Sequence, residues 1–185
     1  MLFDKKTDFQ KPLHLPLPCK MLKMDNIILI ITATCTALIA GLFYAYSCSV
    51  NIGLGRLPDR EYIAAMQNIN SAILNPLFFL SFIGTLVLLP VSAWLNYEQS
   101  LSGRFLLLLI AAVLYAIGVF GVTMFGNVPL NNMLAGFDLK SATAADITHQ
   151  RLSFERPWLM LHNIRTVASV VCLVLVLIGC IYRSE

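Results

Sequence analysis

Four long apolar runs separated by polar connections are the main pattern of this sequence. The runs cover residues 27–48, 73–95, 104–126 and 159–182. A helix needs about 20 apolar residues to cross a hydrocarbon core about 30 Å thick, so each run predicts one crossing. The pattern therefore predicts an all-α membrane protein whose fold is a four-transmembrane-helix bundle.

The polar connections carry their own helical patterns. After a glycine-rich turn at 51–58, residues 60–72 place apolar side chains three and four positions apart on one face and amides on another. Asp59 is the predicted N-cap of this short interfacial helix. Residues 142–154 predict a second interfacial helix, and Pro157 is expected in the first turn of the last spanning helix.

The N-terminal stretch differs in composition from the rest of the chain. Residues 1–25 are polar and basic, and their three prolines prevent a helix. We therefore predict a disordered basic tail at 1–25 and a four-helix membrane domain at 26–185. Met21 and Met24, just before the first run, are alternative translation starts.

Composition agrees with a membrane protein and excludes several other classes. Hydrophobic residues make up 58% of the chain and charged residues 12%, so the lipid bilayer is the predicted partner. The formal net charge of +3 is too small and too dispersed to predict nucleic-acid binding. The five cysteines form no C-x-x-C pair and the three histidines share no metal-ligand spacing, so no metal site is predicted. The sequence gives no indication of the oligomeric state.

Basic residues are distributed unevenly between the two sides of the predicted bundle. The tail, Arg104 and Arg183 give seven on the side of the termini, against five on the other side. The positive-inside rule then favours cytoplasmic termini in a plasma (inner) membrane. Both interfacial helices would consequently lie in non-cytoplasmic connections.

Carboxamides gather where the third apolar run ends. Pro129 lacks a backbone donor and is expected to end the helix, with Val128 before it in extended geometry. Asn127 and Asn131 flank this expected break, and a buried amide needs hydrogen-bond partners. The pattern fits either a capped loop or a site where the amides meet a ligand.

A stripe of polar and aromatic residues begins the last run. Trp158, His162 and Arg165 are four and three residues apart and lie on one helical face, with Asn163 on an adjacent face. An arginine inside a membrane helix usually faces the bundle interior or a wet cavity. The alternative is that the side chain of Arg165 extends to the interface.

A polar arc on the first interfacial helix contains Gln67 and Asn70, and Asn75 follows at the start of the second run. This arc is either the wet face of the helix or the lining of a cavity. With cytoplasmic termini, the arc, the asparagines near Pro129 and the Trp158 stripe would all meet in the non-cytoplasmic half.

These motifs, in this order, resemble those of anthrone-oxygenase-like membrane proteins. The motifs that carry the resemblance are Gln67-x-x-Asn70, Asn75-Pro76, Asn127-Val-Pro-Leu-Asn131-x-x-Leu134, and Trp158 followed by Asn163-x-Arg165. The resemblance covers residues 27–182. It implies the four-helix fold and an oxidation of anthrones to anthraquinones by molecular oxygen, without metal or flavin cofactors.

The resemblance also suggests roles for individual residues. An oxygenase without a cofactor needs a base to form a carbanion and a positive group to stabilise the enolate and reduced oxygen. His162 would then be the base and Arg165 the stabiliser, acting on a lipophilic aromatic or quinone-like small molecule. The residues expected to orient this substrate are Gln67, Asn70, Asn127, Asn131, Trp158 and Asn163.

A non-enzymatic reading explains the same polar residues. In a membrane binding or assembly protein, amide hydrogen bonds of about 0.6 kcal/mol each would hold the helices together. Both readings predict that Arg165, Asn127 and either Gln67 or Asn70 lie close together or share a cavity. The predicted spans contain no acidic residue to pair with Arg165, so amides are its expected neighbours.

Overall fold

The computed structural model describes residues 24–97 and 102–182. Residues 1–23, which include Met21, lie outside the described residues, and so does that part of the predicted disordered tail. Within the described ranges the backbone is helical, without strands.

Five helices make up the described chain. They are α1 (Met24–Gly55), α2 (Asp59–Ala72), α3 (Pro76–Leu95), α4 (Gly103–Ala135) and α5 (Ala144–Ile181). All except α2 are long and apolar enough to cross a membrane. The predicted four-helix bundle and the predicted helix at 60–72 are therefore confirmed.

Side-chain caps determine where three of the helices begin. Asn75 Oδ1 accepts a hydrogen bond from the backbone N–H of Phe78 at 3.1 Å, and Ser102 Oγ accepts one from Phe105 at 3.2 Å. Thr143 and Asp146 form a reciprocal capping box at the start of α5. Such caps satisfy backbone donors that have no partner within the helix.

The predicted cap of α2 is corrected by the structure. Pro58 occupies the N-cap position and Asp59 is the first helical residue. A carboxylate in the first turn still favours the helix, because it faces the positive end of the helix dipole. It also binds α5, accepting hydrogen bonds from Thr148 at 2.6 Å and Arg151 at 3.0 Å.

The predicted turn at 51–58 is largely helical. Helix α1 continues through a π-helical stretch at Tyr46–Val50 and an α-helical turn at Asn51–Gly55. The prediction treated the glycines as turn signals, but here the backbone stays helical, and Leu54 packs against a hydrophobic cluster outside the main bundle. Apolar packing therefore extends α1 by two turns.

The expected break at Pro129 is also absent. Val128 is helical (φ −61°, ψ −46°), not extended, and α4 runs on to Ala135. The preceding stretch Thr123–Asn127 is π-helical, with the Val128 N–H bonded five residues back to Thr123. Pro129 thus lies in the first turn of a new α-helical segment, where a missing N–H costs little.

Pro157 does not begin a helix, because it lies inside α5. The predicted interfacial helix at 142–154 is helical but continuous with the last span. An internal proline costs about 3 kcal/mol. Burial of Ile147 and Phe154 on the N-terminal half of α5 offsets that cost.

Two hydrophobic clusters frame the site. One fills the bundle between the spanning helices and includes Phe43, Phe82 and Tyr115. The other packs α2 against the N-terminal half of α5 and includes Ile63 and Phe154. The candidate site lies where the two clusters meet.

Arginine side chains hold α2 in place. Arg151 on α5 pairs with Asp59 at 3.0 Å and Glu155 at 2.8 Å, and it donates to the carbonyls of Leu57 and Gly55. Arg60 donates to the carbonyls of Leu139 and Ala142. Helix α2 therefore has a defined position over the end of the bundle, and its polar arc faces the cavity.

Candidate functional site

A cavity of about 310 Å³ lies at the junction of α1, α2, α4 and α5 and the start of α3. Its size is typical of small-molecule sites. Aromatic side chains from three helices form much of the wall. These are Phe43 and Tyr46 on α1, Phe78 on α3 and Trp158 on α5.

The cavity has a buried floor and an open mouth. Phe43, Thr123, Trp158 and Arg165 line it and are buried. Ser71, Leu74, Asn132 and Ala135 line it and are exposed. The mouth therefore opens between the end of α2 and the end of α4, and a ligand would enter there.

Arg165 is buried in the floor, with a relative exposure of only 8%. Its guanidinium carbon lies 4.4 Å from the centre of the Phe43 ring and 5.3 Å from that of Trp158. Its one hydroxyl contact, from Nη1 to Thr123 Oγ1, is long at 3.5 Å. In the described part of the chain no carboxylate pairs with it. Arg165 thus faces the bundle interior and does not extend to the interface.

His162 lies behind Arg165 and is fully buried. Nε and Nη2 of Arg165 lie 3.4 and 3.3 Å from His162 Nδ1. A guanidinium only donates, so Nδ1 accepts and the ring proton is assigned to Nε2. That N–H then donates to Ser47 Oγ at 3.0 Å. Ser47 consequently meets a donor rather than a base, and the pair is not an activated nucleophile.

The placement of His162 does not favour its predicted role as a base. Its ring stacks on Trp158, with centres 5.1 Å apart and planes at 6°. It is not among the residues that line the cavity. His162 therefore contacts Arg165 and Trp158 and does not itself line the cavity.

Two of the predicted amides line the cavity but bind protein groups. Gln67 Nε2 donates to the carbonyls of Leu134 at 2.8 Å and Phe137 at 2.9 Å, which ties α2 to the end of α4. Asn131 Oδ1 accepts from Trp158 Nε1 at 2.8 Å and fixes the indole in the wall.

Two other predicted asparagines lie away from the cavity surface. Asn127 is fully buried behind the wall, where its Nδ2 donates to the carbonyl of Trp158 at 3.3 Å. Its Oδ1 finds no partner within the described ranges. Asn163 is exposed on the outer face of α5. Neither residue is among those that line the cavity.

Asn70 lines the cavity from α2. Its Nδ2 is buried, and no acceptor reaches it from the residues the structure describes. The expectation of a shared cavity is therefore confirmed for Arg165 with both Gln67 and Asn70. Asn127 is near the same wall but does not share the cavity.

Comparison with protein-family models matches residues 78–175 to the family described as anthrone oxygenase. The match spans just over half of the 185 residues. The chain belongs to the anthrone oxygenase family. Comparisons with curated proteins and with solved structures give no match.

The anthrone oxygenase match includes most of the cavity floor and leaves out the residues that α1 and α2 contribute to the cavity. Thr123, Asn131, Trp158 and Arg165 lie within the matched range. Helix α2, with Gln67 and Asn70, lies before it. The family assignment therefore rests on α3, α4 and α5, and the geometry adds α1 and α2 to the same site.

Sequence reasoning missed part of the wall of this anthrone oxygenase family member. Phe43 and Phe78 look like ordinary core residues in their apolar runs, because periodicity does not separate a core from a cavity wall. Tyr46 carries a polar group, which was a weak signal. Thr123, four residues before Asn127, shares a helical face with the asparagines on an unbroken helix, but the break expected at Pro129 left its final position undecided.

Within residues 24–97 and 102–182, no three His, Cys, Asp or Glu side chains come together in a way that could hold a metal ion. The polar groups of the cavity are instead amides, hydroxyls and one guanidinium.

Proposed function

We propose that this protein binds, in the cavity, a lipophilic aromatic molecule whose anion carries its negative charge on an oxygen, and oxidises it with molecular oxygen. The observation that carries this proposal is Arg165, a buried cation without a carboxylate partner in the described chain, at the floor of an aromatic cavity. A buried charge without a counter-ion is costly. An anionic oxygen on a ligand would lower that cost.

Family membership supports an anthrone-type substrate. Loss of one proton from the methylene carbon of an anthrone gives an enolate whose negative charge lies largely on oxygen. Arg165 would stabilise that oxygen in a site shielded from water, where electrostatic stabilisation is strongest. The cavity lining offers no carboxylate or imidazole in the described ranges, so the proton passes to water at the mouth.

The overall oxidation balances with one molecule of oxygen. The methylene carbon loses two hydrogens and four electrons and becomes a carbonyl. One atom of O₂ becomes the new carbonyl oxygen, and the other leaves as water with the two hydrogens. The aromatic wall would hold the ring system in place during these steps.

A structural role for the same cluster is the competing explanation. Arg165 contacts Phe43 on α1, Thr123 on α4 and His162 on α5, so it connects three helices. If this were its only role, its removal would change stability but no ligand-dependent property.

Oxygen uptake with Arg165→Met tests the proposal. We expect purified wild-type protein to consume one O₂ for each anthrone, above the rate without protein. Arg165→Met should lower turnover by about 100-fold, the usual effect of removing one oxyanion donor. The melting temperature should stay constant or rise, because a costly buried charge is lost.

The exposed Arg56 provides the matched control. Arg56→Met should leave both turnover and stability at the wild-type level. Wild-type protein that neither binds anthrone nor consumes oxygen would contradict the proposal. A folded Arg165→Met protein with full turnover would contradict it as well. If Arg165→Met unfolds and the wild-type protein also shows no activity, the structural explanation is favoured.

A further inference from the structure

Tyr46 brings a phenolic hydroxyl to the cavity. It lies three residues after Phe43 on α1, so the two side chains share a helical face, and both line the cavity. The centre of its ring lies 6.0 Å from that of His162, which contacts Arg165. The charge of Arg165 acts on the Tyr46 hydroxyl, and no hydrogen bond of the described chain engages that hydroxyl. The phenol therefore lies on the Arg165 side of the cavity, with its proton uncommitted.

The two fully buried tyrosines differ from Tyr46 in this respect. Tyr115 donates its hydroxyl proton to the carbonyl of Phe82 at 2.9 Å. Tyr62 lies beneath Arg151, whose guanidinium carbon is 4.4 Å from the centre of the ring. Neither of them lines the cavity. Tyr46 is also only half-buried, and its oxygen is not one of the enclosed polar atoms that lack a partner.

The other polar groups of the cavity are poor proton donors. The amides of Gln67 and Asn131 do not exchange protons near neutral pH, and the guanidinium of Arg165 keeps its protons. Thr123 already donates its hydroxyl proton to the carbonyl of Val119 at 2.7 Å. Among side-chain hydroxyls, the phenol of tyrosine is the most acidic. Tyr46 is therefore the lining residue best suited to give a proton to a bound molecule.

The backbone is irregular at Tyr46. Helix α1 becomes π-helical at this residue, and the N–H of Asn51 bonds to the Tyr46 carbonyl five residues back. On α4 a π-helical stretch begins in the same way at Thr123, which also lines the cavity. Because π-helical turns are rare and frequent at functional sites, two of them beginning at lining residues favour a functional role for this part of the wall.

We propose that Tyr46 is a catalytic proton donor, which protonates the peroxide formed when oxygen adds to the substrate carbon. This inference rests on the proposed function, because it concerns a later step of the same oxidation. The phenolate left by the transfer would lie near the guanidinium of Arg165, which stabilises a negative charge in a site shielded from water.

The step balances in atoms and electrons. The substrate carbanion gives one electron to O₂, and the carbon radical and superoxide combine through a new C–O bond into a peroxide anion. The O–H bond of Tyr46 breaks, and its proton passes to the terminal peroxide oxygen. The phenolate then removes the remaining hydrogen of that carbon as a proton, the C–H electron pair forms the carbonyl, and the O–O bond breaks to release hydroxide. The hydroxide takes up the proton lost first and becomes water, and Tyr46 is restored.

Tyr46→Phe tests this inference, because it removes the hydroxyl and keeps the ring. With anthrone and oxygen, we expect kcat to fall by about 100-fold, an ordinary effect of losing a general acid. KM should change by less than about twofold, because the ring contacts with the substrate remain. Peroxide that is protonated slowly should accumulate on the substrate. Samples treated with catalase and then quenched in acid should therefore oxidise iodide for Tyr46→Phe, but not for the wild type.

Tyr44→Phe is the matched control, because it removes the same atom from an exposed tyrosine of α1 that does not line the cavity. It should have the kcat and KM of the wild type and give no peroxide. Wild-type kcat in Tyr46→Phe, or a raised KM with kcat unchanged, would overturn the assignment. So would a loss of kcat that comes with a lower melting temperature and no peroxide, since Tyr46 would then be a structural residue.

Failure of the proposed function would look different. Wild-type protein that consumes no oxygen with anthrone would contradict the proposed function, and the Tyr46 assignment would fall with it. If the wild type oxidises anthrone and Tyr46→Phe does so at the same rate, the proposed function stands and only the assignment of Tyr46 fails.

Discussion

Two arginines on α5 differ in the groups that lie next to their guanidinium. Arg151 lies against carboxylates, with Asp59 at 3.0 Å and Glu155 at 2.8 Å. Arg165, four turns further along, lies against the rings of Phe43 and Trp158. Cation–π contacts stabilise a guanidinium but leave its charge uncompensated. Arg151 therefore fastens α2 to α5, and Arg165 is the cation that, in our proposal, meets an anionic ligand.

The Asp59–Arg151 contact leads to a prediction about pH. The hydroxyl of Thr148 and the guanidinium of Arg151 hold the pKa of Asp59 below its ordinary value of 3.8. A carboxyl with a lowered folded-state pKa contributes stability above its unfolded pKa and loses it as the pH falls through the folded one. We expect the melting temperature of wild-type protein to fall below about pH 4.

Asp59→Asn is the matched variant, because it keeps an acceptor for Thr148 but cannot titrate. Its melting temperature should be lower than that of the wild type at pH 7 and should change less between pH 5 and pH 3 than the wild-type value. Equal pH dependence of the two proteins in thermal unfolding would show that Asp59 contributes nothing to it.

At the level of elements, α4 is the most unusual helix. Two π-helical stretches, Tyr115–Gly121 and Thr123–Asn127, occupy its middle. Such segments are rare and are frequent at functional sites. The second stretch contributes Thr123 to the cavity and precedes the α-helical turn that carries Asn131. The close approach of α4 to α5 occurs in the same region, at Gly118.

Gly118→Ala should disturb this approach. A Cβ at position 118 would lie 2.9 Å from the Cβ of Ala168, closer than two such atoms pack. Because both atoms are attached directly to backbone, the helices must move apart. We expect a loss of about 1–3 kcal/mol in unfolding free energy, measured by thermal or denaturant unfolding in detergent.

Gly41→Ala on α1 is the control for helix propensity. A Cβ at position 41 meets no atom within 4 Å, and alanine favours a helix over glycine by about 1 kcal/mol. This variant should therefore lose no stability. If Gly118→Ala is as stable as Gly41→Ala, the tight contact between α4 and α5 is not needed.

For the whole molecule, the cavity lies at one end of the bundle, where α2 covers it. Arg104 at the start of α4 donates to the carbonyls of Gly179 and Tyr182, which places the end of α5 beside the start of α4 at the opposite end. We propose that this opposite end and both termini face the cytoplasm in a plasma (inner) membrane. The cavity would then open on the non-cytoplasmic side.

Reporter fusions to the full chain test this orientation. Green fluorescent protein should be fluorescent and alkaline phosphatase inactive at the C-terminus, because the basic excess keeps that end in the cytoplasm. Phosphatase inserted after Lys140, in the connection between α4 and α5, should be active. The reverse pattern would invert the membrane orientation.

The four crossings, the helix at 60–72 and the common helical face of Trp158, His162 and Arg165 could all be predicted from the sequence. Spanning length and helical periodicity are local properties, because each depends on residues a few positions apart. The sequence left the burial of Arg165 open, because a long charged side chain near a helix end can also extend to the interface. The packing of the helices around it decided between the two.

Only the tertiary structure decided how the helices continue and what each amide does. α4 passes through Pro129 after a π-helical stretch, and α5 passes through Pro157 because α2 packs on its N-terminal half. Gln67 uses its donors on the end of α4, while the Nδ2 of Asn70, three residues later, is buried without an acceptor among the described residues. Local sequence cannot distinguish these cases, because each outcome depends on hydrogen-bond partners and packing surfaces contributed by helices that are distant along the chain.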